Sequence, residues 1–123
     1  MDEVQVLTGL TDADAIIDWV DAQRARAVAL KLGPAGCRIS HAAQRSSVPG
    51  HLVTAVDATA AVDCFAGACL SQLACGKSLA EAAQRANLAA ALSTQGFGAV
   101  NPPPRLADLA AAGARIKGLA DQR

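Results

Sequence analysis

The chain has 123 residues, 52% hydrophobic and 18% charged, enough to bury one core and too apolar for a disordered segment. Lys and Arg number 11, as do Asp and Glu, and no basic run is interleaved with aromatics, which excludes a nucleic-acid partner from the expectations. No uncharged run is long enough for a membrane span, and Met1-Asp2-Glu3 is acidic rather than leader-like, so a cytoplasmic protein with no membrane partner is expected.

The first element in chain order opens at Thr11-Asp12-Ala13-Asp14. Apolar residues at Ile16, Ile17, Trp19 and Val20 follow, and together they predict a capped amphipathic helix from about residue 12 to 24. Trp19 is expected to be a packing residue. Ala27-Val28-Ala29-Leu30-Lys31-Leu32 is nearly continuous in its apolar character, as in a strand covered on both faces in a parallel sheet. Gly33-Pro34-Ala35-Gly36 supplies a turn, and Cys37 to His41 alternates as a strand that could pair back. A second extended piece is expected over His51 to Val56. Ala61 to about Cys75 is apolar almost all round and predicts a buried helix, closed by Gly76. Ser78-Leu79-Ala80-Glu81 is a capping box starting a helix to about Thr94. Gly96 and Gly98 flank Phe97 in a loop, Pro102-Pro103-Pro104 stops regular structure, and a weaker helix runs from Leu106 to about Ala120. The apolar content is largely alanine, so the core is expected to be thin.

Cys37, Cys64, Cys69 and Cys75 show no C-x-x-C spacing, and buried reduced thiols are the expectation. His41 and His51 lie far from any ligand-like cluster, so zinc is not expected.

Chemistry centres on Val56-Asp57-Ala58-Thr59-Ala60-Ala61-Val62-Asp63-Cys64-Phe65, a strand end running into a helix. Unpaired N–H groups and the positive dipole end at such a point favour a phosphate. An aspartate there can take a proton from a substrate hydroxyl, which with an anion cradle is the minimal equipment for phosphoryl transfer. By spacing alone, Asp63 could equally do no more than favour the helix dipole.

That stretch resembles the second signature of PfkB-type, ribokinase-like carbohydrate kinases, Asp-Thr-Thr-Gly-Ala-Gly-Asp before an apolar helix; Asp57, Thr59, Ala61 and Asp63 match it. Lys31-Leu32-Gly33-Pro34-Ala35-Gly36 resembles the family's strand and turn beside the nucleotide, and Ala86-Asn87-Leu88-Ala89-Ala90-Ala91 the helix whose asparagine lies near adenine. Glu3 to Gly9 resembles the segment after the Asn-x-x-Glu motif. Ala91 to Val100 is similar to 2-keto-3-deoxygluconate kinases. The likeness implies the C-terminal portion of a ribokinase-like three-layer α/β/α domain with an incomplete sheet, over a single partial domain 1–123.

The same resemblance implies roles. Asp63 is the catalytic base, and the amides of Ala60, Ala61, Val62 and Asp63 form the anion hole. Lys31, Gly33, Gly36 and Asn87 line the nucleotide. Asp57 and Thr59 lie near a monovalent cation such as K+, and Glu3 matches a glutamate linked to magnesium and phosphate effects. The implied cofactors are ATP and Mg2+. Beside these roles, Gly33 and Gly36 read equally as turn glycines, Asn87 as a residue needing a structural partner if buried, and Glu3 as a solvated charge.

Ala58, Ala60 and Val62 depart from the signature. Ala60 and Val62 replace glycines, and if either position needs positive φ the strain is on the order of 1–3 kcal/mol. The family's N-terminal sugar-binding half is absent, and its Asn-x-x-Glu asparagine would fall just before Met1, which suggests a truncated or late-started gene. The expected function is that of a sugar or sugar-acid kinase that is inactive as this chain alone. Its rivals are a non-catalytic nucleotide-binding remnant, and a fragment that docks on a separate N-terminal half or forms a homo-oligomer through a sheet edge.

Overall fold

A computed structural model of the chain describes residues 2–98 and 104–120. Its elements are α1 (Asp2–Thr8), α2 (Ala13–Ala22), β1 (Ala27–Lys31), β2 (Gly36–His41), β3 (Gln44–Pro49), α3 (Ala61–Ala74), α4 (Leu79–Ser93) and α5 (Leu106–Ala120), with a 3-10 turn over Gly33–Ala35. The expected loop residues Ala99, Val100, Pro102 and Pro103 lie outside the described residues.

The strands form one antiparallel sheet in the order β1-β2-β3. Alternation along each strand sends side chains to opposite faces, and each face has its own cluster. Ile16 and Ile17 of α2 pack with Leu30, Val28 and Leu32 on one side. Cys37, Ile39 and Val48 pack on the other side with Phe65, Cys69, Ala82, Ala83 and Ala86. Helix α4 lies on that second face and α3 packs against α4, which gives three layers. No helix among the described residues is long and apolar enough to cross a membrane.

Helix α2 follows the sequence pattern closely. Asp12 caps it, its carboxylate accepting from the Ala15 N–H at 2.9 Å, while Ile16 and Ile17 are fully buried. Its acids pin the helix across the sheet: Arg38 meets Asp14 at 3.0 Å, and Arg45 meets Asp18 at 2.6 Å and Asp21 at 3.1 Å. Trp19, expected to be a packing residue, is 39% exposed and belongs to neither buried cluster.

Strand β1 is covered on both faces as expected, Val28 and Leu30 by one cluster and Ala29 by the other, but the expectation of a parallel strand is corrected. It pairs antiparallel with β2, from Ala27↔His41 to Lys31↔Cys37, and its other side has no partner strand among the described residues. The second extended piece is also misplaced. His51 to Val56 has no regular structure, and the third strand is Gln44–Pro49 instead. It follows β2 through a two-residue turn in which Ala42 and Ala43 hold φ 50° and 62°. Positive φ at both central residues is the type I′ hairpin geometry that Asn-Gly usually marks. Two alanines give no such signal, and Gln-Arg-Ser-Ser is too polar to stand out as a strand.

Helix α1 had no counterpart among the sequence expectations. Its polar and apolar residues alternate over too few positions to show a helical period. Thr8 ends it, donating its hydroxyl to the Val4 carbonyl at 2.7 Å while accepting the Leu10 N–H at 3.1 Å. Helix α3 is less buried than its composition predicts. Only Phe65 and Cys69 are buried, and Leu70 is 67% exposed. Its C-terminus closes as expected at Gly76, whose N–H meets the Leu73 carbonyl while Lys77 N–H meets that of Gln72. The Ser78–Glu81 capping box is present in full. Cys37 and Cys69 are buried as expected, whereas Cys64 is half-buried and Cys75 exposed; burial pushes the Cys37, Cys64 and Cys69 thiols up.

Candidate functional site

The segment singled out in the sequence does run into a helix start. Ala60 is the N-cap of α3, with φ −95° and ψ −1°, and no side chain caps the helix. The Ala61 N–H is used in a turn to the Ala58 carbonyl at 3.1 Å. The amides of Ala60, Val62 and Asp63 find no acceptor among the described residues. Three N–H groups at the positive end of a helix dipole therefore remain free for an anion.

The strain expected from the two lost glycines is not there. Ala60 has negative φ, Val62 sits inside the helix, and neither is in the left-handed region. Val62 is 50% exposed and lines the larger cleft described below.

Asp57 holds the loop before α3 in place. Its Oδ1 accepts from the Thr59 N–H at 2.9 Å and from the Thr59 hydroxyl, and its Oδ2 accepts from the Gly98 N–H at 2.9 Å. The Thr94 carbonyl at the end of α4 accepts the N–H groups of Val56, at 2.7 Å, and Asp57, at 3.0 Å. The Thr59 hydroxyl first, then the Thr59 and Gly98 amides, hold the Asp57 carboxyl below the usual carboxylate range. Three of the roughly four lone-pair sites of that carboxylate are thus occupied by protein donors. No set of three His, Cys, Asp or Glu side chains that could hold a metal is found among the described residues.

Two cavities flank the start of α3. The larger, about 740 Å³, brings together Lys31 from the end of β1, Gly33 and Gly36 from the turn, Asn87 from α4 and Glu3 from α1, with Ala61 and Val62 on its wall. All four residues assigned to a nucleotide by resemblance therefore border one space. Asp63 and Ala60 line the smaller cavity, about 530 Å³, with Arg85, Ser93 and Gly98. Of the four residues assigned to the anion hole, Ala60 and Asp63 thus line one cavity and Ala61 and Val62 the other.

The nucleotide-lining residues differ in what they do locally. Gly36 has φ 99°, and a Cβ there would lie 2.1 Å from the Val48 carbonyl oxygen, so the residue is required by the sheet itself. Gly33 has φ 61° with open space around its Cα, so only its backbone is exacting. Asn87 is buried, and its Nδ2 donates to the carbonyls of Val48, at 3.2 Å, and Pro49, at 3.1 Å. Both of its donor hydrogens go to β3. Its structural partner is real, and only its carbonyl end is left to face a ligand.

Sequence reasoning missed His51, Leu52 and Thr94 in the cleft, and Arg85 across from Asp63. Arg85 was legible in principle, since Arg85, Ala89 and Ser93 recur at four-residue intervals on one face of α4. His51 and Leu52 stand in an irregular loop, where no period exists to reveal them.

A layered α/β molecule with an open helix start beside a glycine turn is the architecture of the ribokinase-like fold, and comparisons with known proteins agree. The pfkB family of carbohydrate kinases matches over residues 1–106, and the chain belongs to that family. Among solved structures, a ribokinase from Thermotoga maritima is 30% identical with a TM-score of 0.81, covering 89% of this chain and 39% of the ribokinase. A fructokinase from Vibrio cholerae O395, solved with fructose, ADP and calcium ion, is 28% identical with a TM-score of 0.82, covering 89% and 38%. An aminoimidazole riboside kinase from Salmonella enterica, complexed with aminoimidazole riboside and an ATP analog, is 26% identical with a TM-score of 0.81, covering 89% and 39%. The chain thus spans less than two fifths of the length of the kinases it matches.

Proposed function

We propose that the chain is the nucleotide-side part of an ATP-dependent kinase for a sugar or sugar acid, and that alone it binds nucleotide without turning sugar over. The observation that carries this is the convergence of Lys31, Gly33, Gly36 and Asn87 on one cleft at the open start of α3. Lys31 supplies a positive charge for phosphate, Gly33 lets a ligand approach the backbone closely, and the Val62 amide offers an N–H. Asp63, one residue further on, has the chemistry of a general base for a sugar hydroxyl. When bound, magnesium would arrive with the nucleotide's phosphates and neutralise charge on them. A monovalent cation, if one is used, would lie near Asp57 and Thr59, whose oxygens would contribute to holding it. The sequence likeness of residues 91–100 favours 2-keto-3-deoxygluconate as the inherited substrate.

Calorimetric titration with ADP tests the proposal. Binding is expected in the isolated chain, weakened about tenfold by Lys31→Ala through loss of one charge-assisted contact and unchanged by Asp63→Ala. Val62→Gly, which removes a lining side chain from the cleft, should tighten binding. No heat with ADP would overturn the assignment of the cleft. Sugar-dependent ADP formation from ATP by the chain alone would overturn its inactivity.

A non-catalytic nucleotide-binding remnant is the second reading. The observation that favours it is that Asp63 opens onto the smaller cavity rather than onto the nucleotide cleft. Under that reading no partner polypeptide restores sugar phosphorylation, whereas under the first one does.

A further inference from the structure

The smaller cavity carries opposite charges on its wall, and among the described residues Asp63 and Arg85 are the charged groups that line it. They stand at different depths. Helices α3 and α4 are joined by the short link 75–78 and run antiparallel, with the Ser93 hydroxyl near the end of α4 meeting the Cys64 thiol at the start of α3. Arg85 lies a little over two turns before Ser93, about 12 Å back along the helix, at the level of Ser71 and Gln72. Between the two ends the wall is Gly67, Ala68 and Ala89, small enough to leave a groove. Gly67 has no packing reason to be glycine, because a Cβ there would meet nothing within 4 Å, and glycine weakens a helix interior. Arg85 is also uncommitted. Arg38 and Arg45 are ion-paired to the acids of α2, whereas Arg85 has no ion pair among the described residues. Glu81, one turn before it, is held by Ser78 in the capping box.

We infer that Arg85 selects a carboxylate-bearing acceptor, an open-chain polyhydroxy acid of about six carbons that lies along this groove with its terminal hydroxyl at Asp63 and its carboxylate at Arg85. The inference rests on the kinase reading above and names the acceptor class and the residue that reads it. Length supports this occupant. A six-carbon chain spans about 7 Å, and a hydrogen bond of about 3 Å at each end brings it close to the separation of the two levels. Chemistry supports it as well. At the Arg85 end the main-chain N–H groups are spent inside α3 and α4, so no amide cradle for a phosphate exists there. One planar guanidinium instead matches the single charge and two oxygens of a carboxylate. The groove also meets the nucleotide cleft at the right place. Ala61 and Val62 border the cleft while Ala60 and Asp63 border the groove, so donor and acceptor adjoin at the first turn of α3. A base that opens onto the groove is placed for the acceptor hydroxyl.

The test follows the backbone amides of this chain by NMR during titration with D-gluconate and, separately, with D-glucitol, which keeps the chain length and hydroxyls but carries no charge. D-Gluconate is expected to shift the amides of residues 63–72 and of α4 around Arg85, and to bind about tenfold more tightly than D-glucitol. Arg85→Ala should erase that preference, and Arg85→Lys should restore part of it, since an ammonium keeps the charge and loses the fork. Gly67→Leu fills the groove and should abolish the shifts without lowering the melting temperature, because leucine is the better helix former. Equal binding of the two polyols overturns the inference, as does no binding of D-gluconate. So does acetate binding as tightly as D-gluconate, or a preference that survives Arg85→Ala. ADP titration of the unaltered chain separates the two claims. ADP binding without a D-gluconate preference refutes the groove alone, and a D-gluconate preference without ADP binding refutes the nucleotide cleft alone.

Discussion

Ala42 and Ala43 hold left-handed φ with no glycine to ease it, at a cost of about 1–2 kcal/mol per residue. Replacing the pair with Asn-Gly relieves much of that and is expected to stabilise the chain by about 1 kcal/mol in urea unfolding. Gly36 poses the opposite case, because its Cβ would strike the Val48 carbonyl and its φ is 99°. Gly36→Ala is therefore expected to cost upwards of about 3 kcal/mol, whereas Gly33→Ala, with only φ to satisfy, should cost about 1 kcal/mol. The two glycines of one turn are thus separable by denaturation alone, although the sequence presents them as a matched pair. Asn87→Ala leaves the Val48 and Pro49 carbonyls without their donor and should lose about 1–3 kcal/mol of stability. At this scale the sequence was informative about which residues gather and silent about why each is there. Spacing could not tell that both Nδ2 hydrogens of Asn87 are committed to β3, or that Ala60 has ordinary φ.

Elements announced by side-chain caps were readable, and elements announced by nothing were not. Asp12 and the Ser78–Glu81 box placed α2 and α4 within a residue or two, since an orphan N–H needs a partner and these residues supply it. Strand β3 escaped because its turn is Ala-Ala and its face polar, and α1 because seven residues show no period. The capping box also sets a pH dependence. The Ser78 hydroxyl first, then the Ser78 N–H, hold the Glu81 carboxyl below its ordinary value. A carboxyl whose folded pKa is depressed adds stability that is fully present above its unfolded value of about 4.3 and lost as pH falls through the folded value. Glu81→Gln is expected to flatten the fall in melting temperature between about pH 6 and about pH 3, with Ser78→Ala costing about 1 kcal/mol at neutral pH.

Across the whole molecule the core is divided. Each face of the sheet has its own cluster, and the α4 side is built largely from Ala82, Ala83 and Ala86, which bury little area apiece. The sequence foretold that thinness from its alanine content, but the split into two clusters depends on which way each strand residue points, and that required the register. Trp19 sits on α2, on the far side of the sheet from α3 and α4, and no α2 residue lines either cavity. With one tryptophan and no tyrosine in the chain, indole emission follows a single layer. Ligand entering the cleft should leave that signal unchanged, while far-ultraviolet dichroism is dominated by the helices of the other layer. If the two halves of the core melt apart from one another, fluorescence and dichroism curves will part company, and the chain's own chromophore will have dated the event.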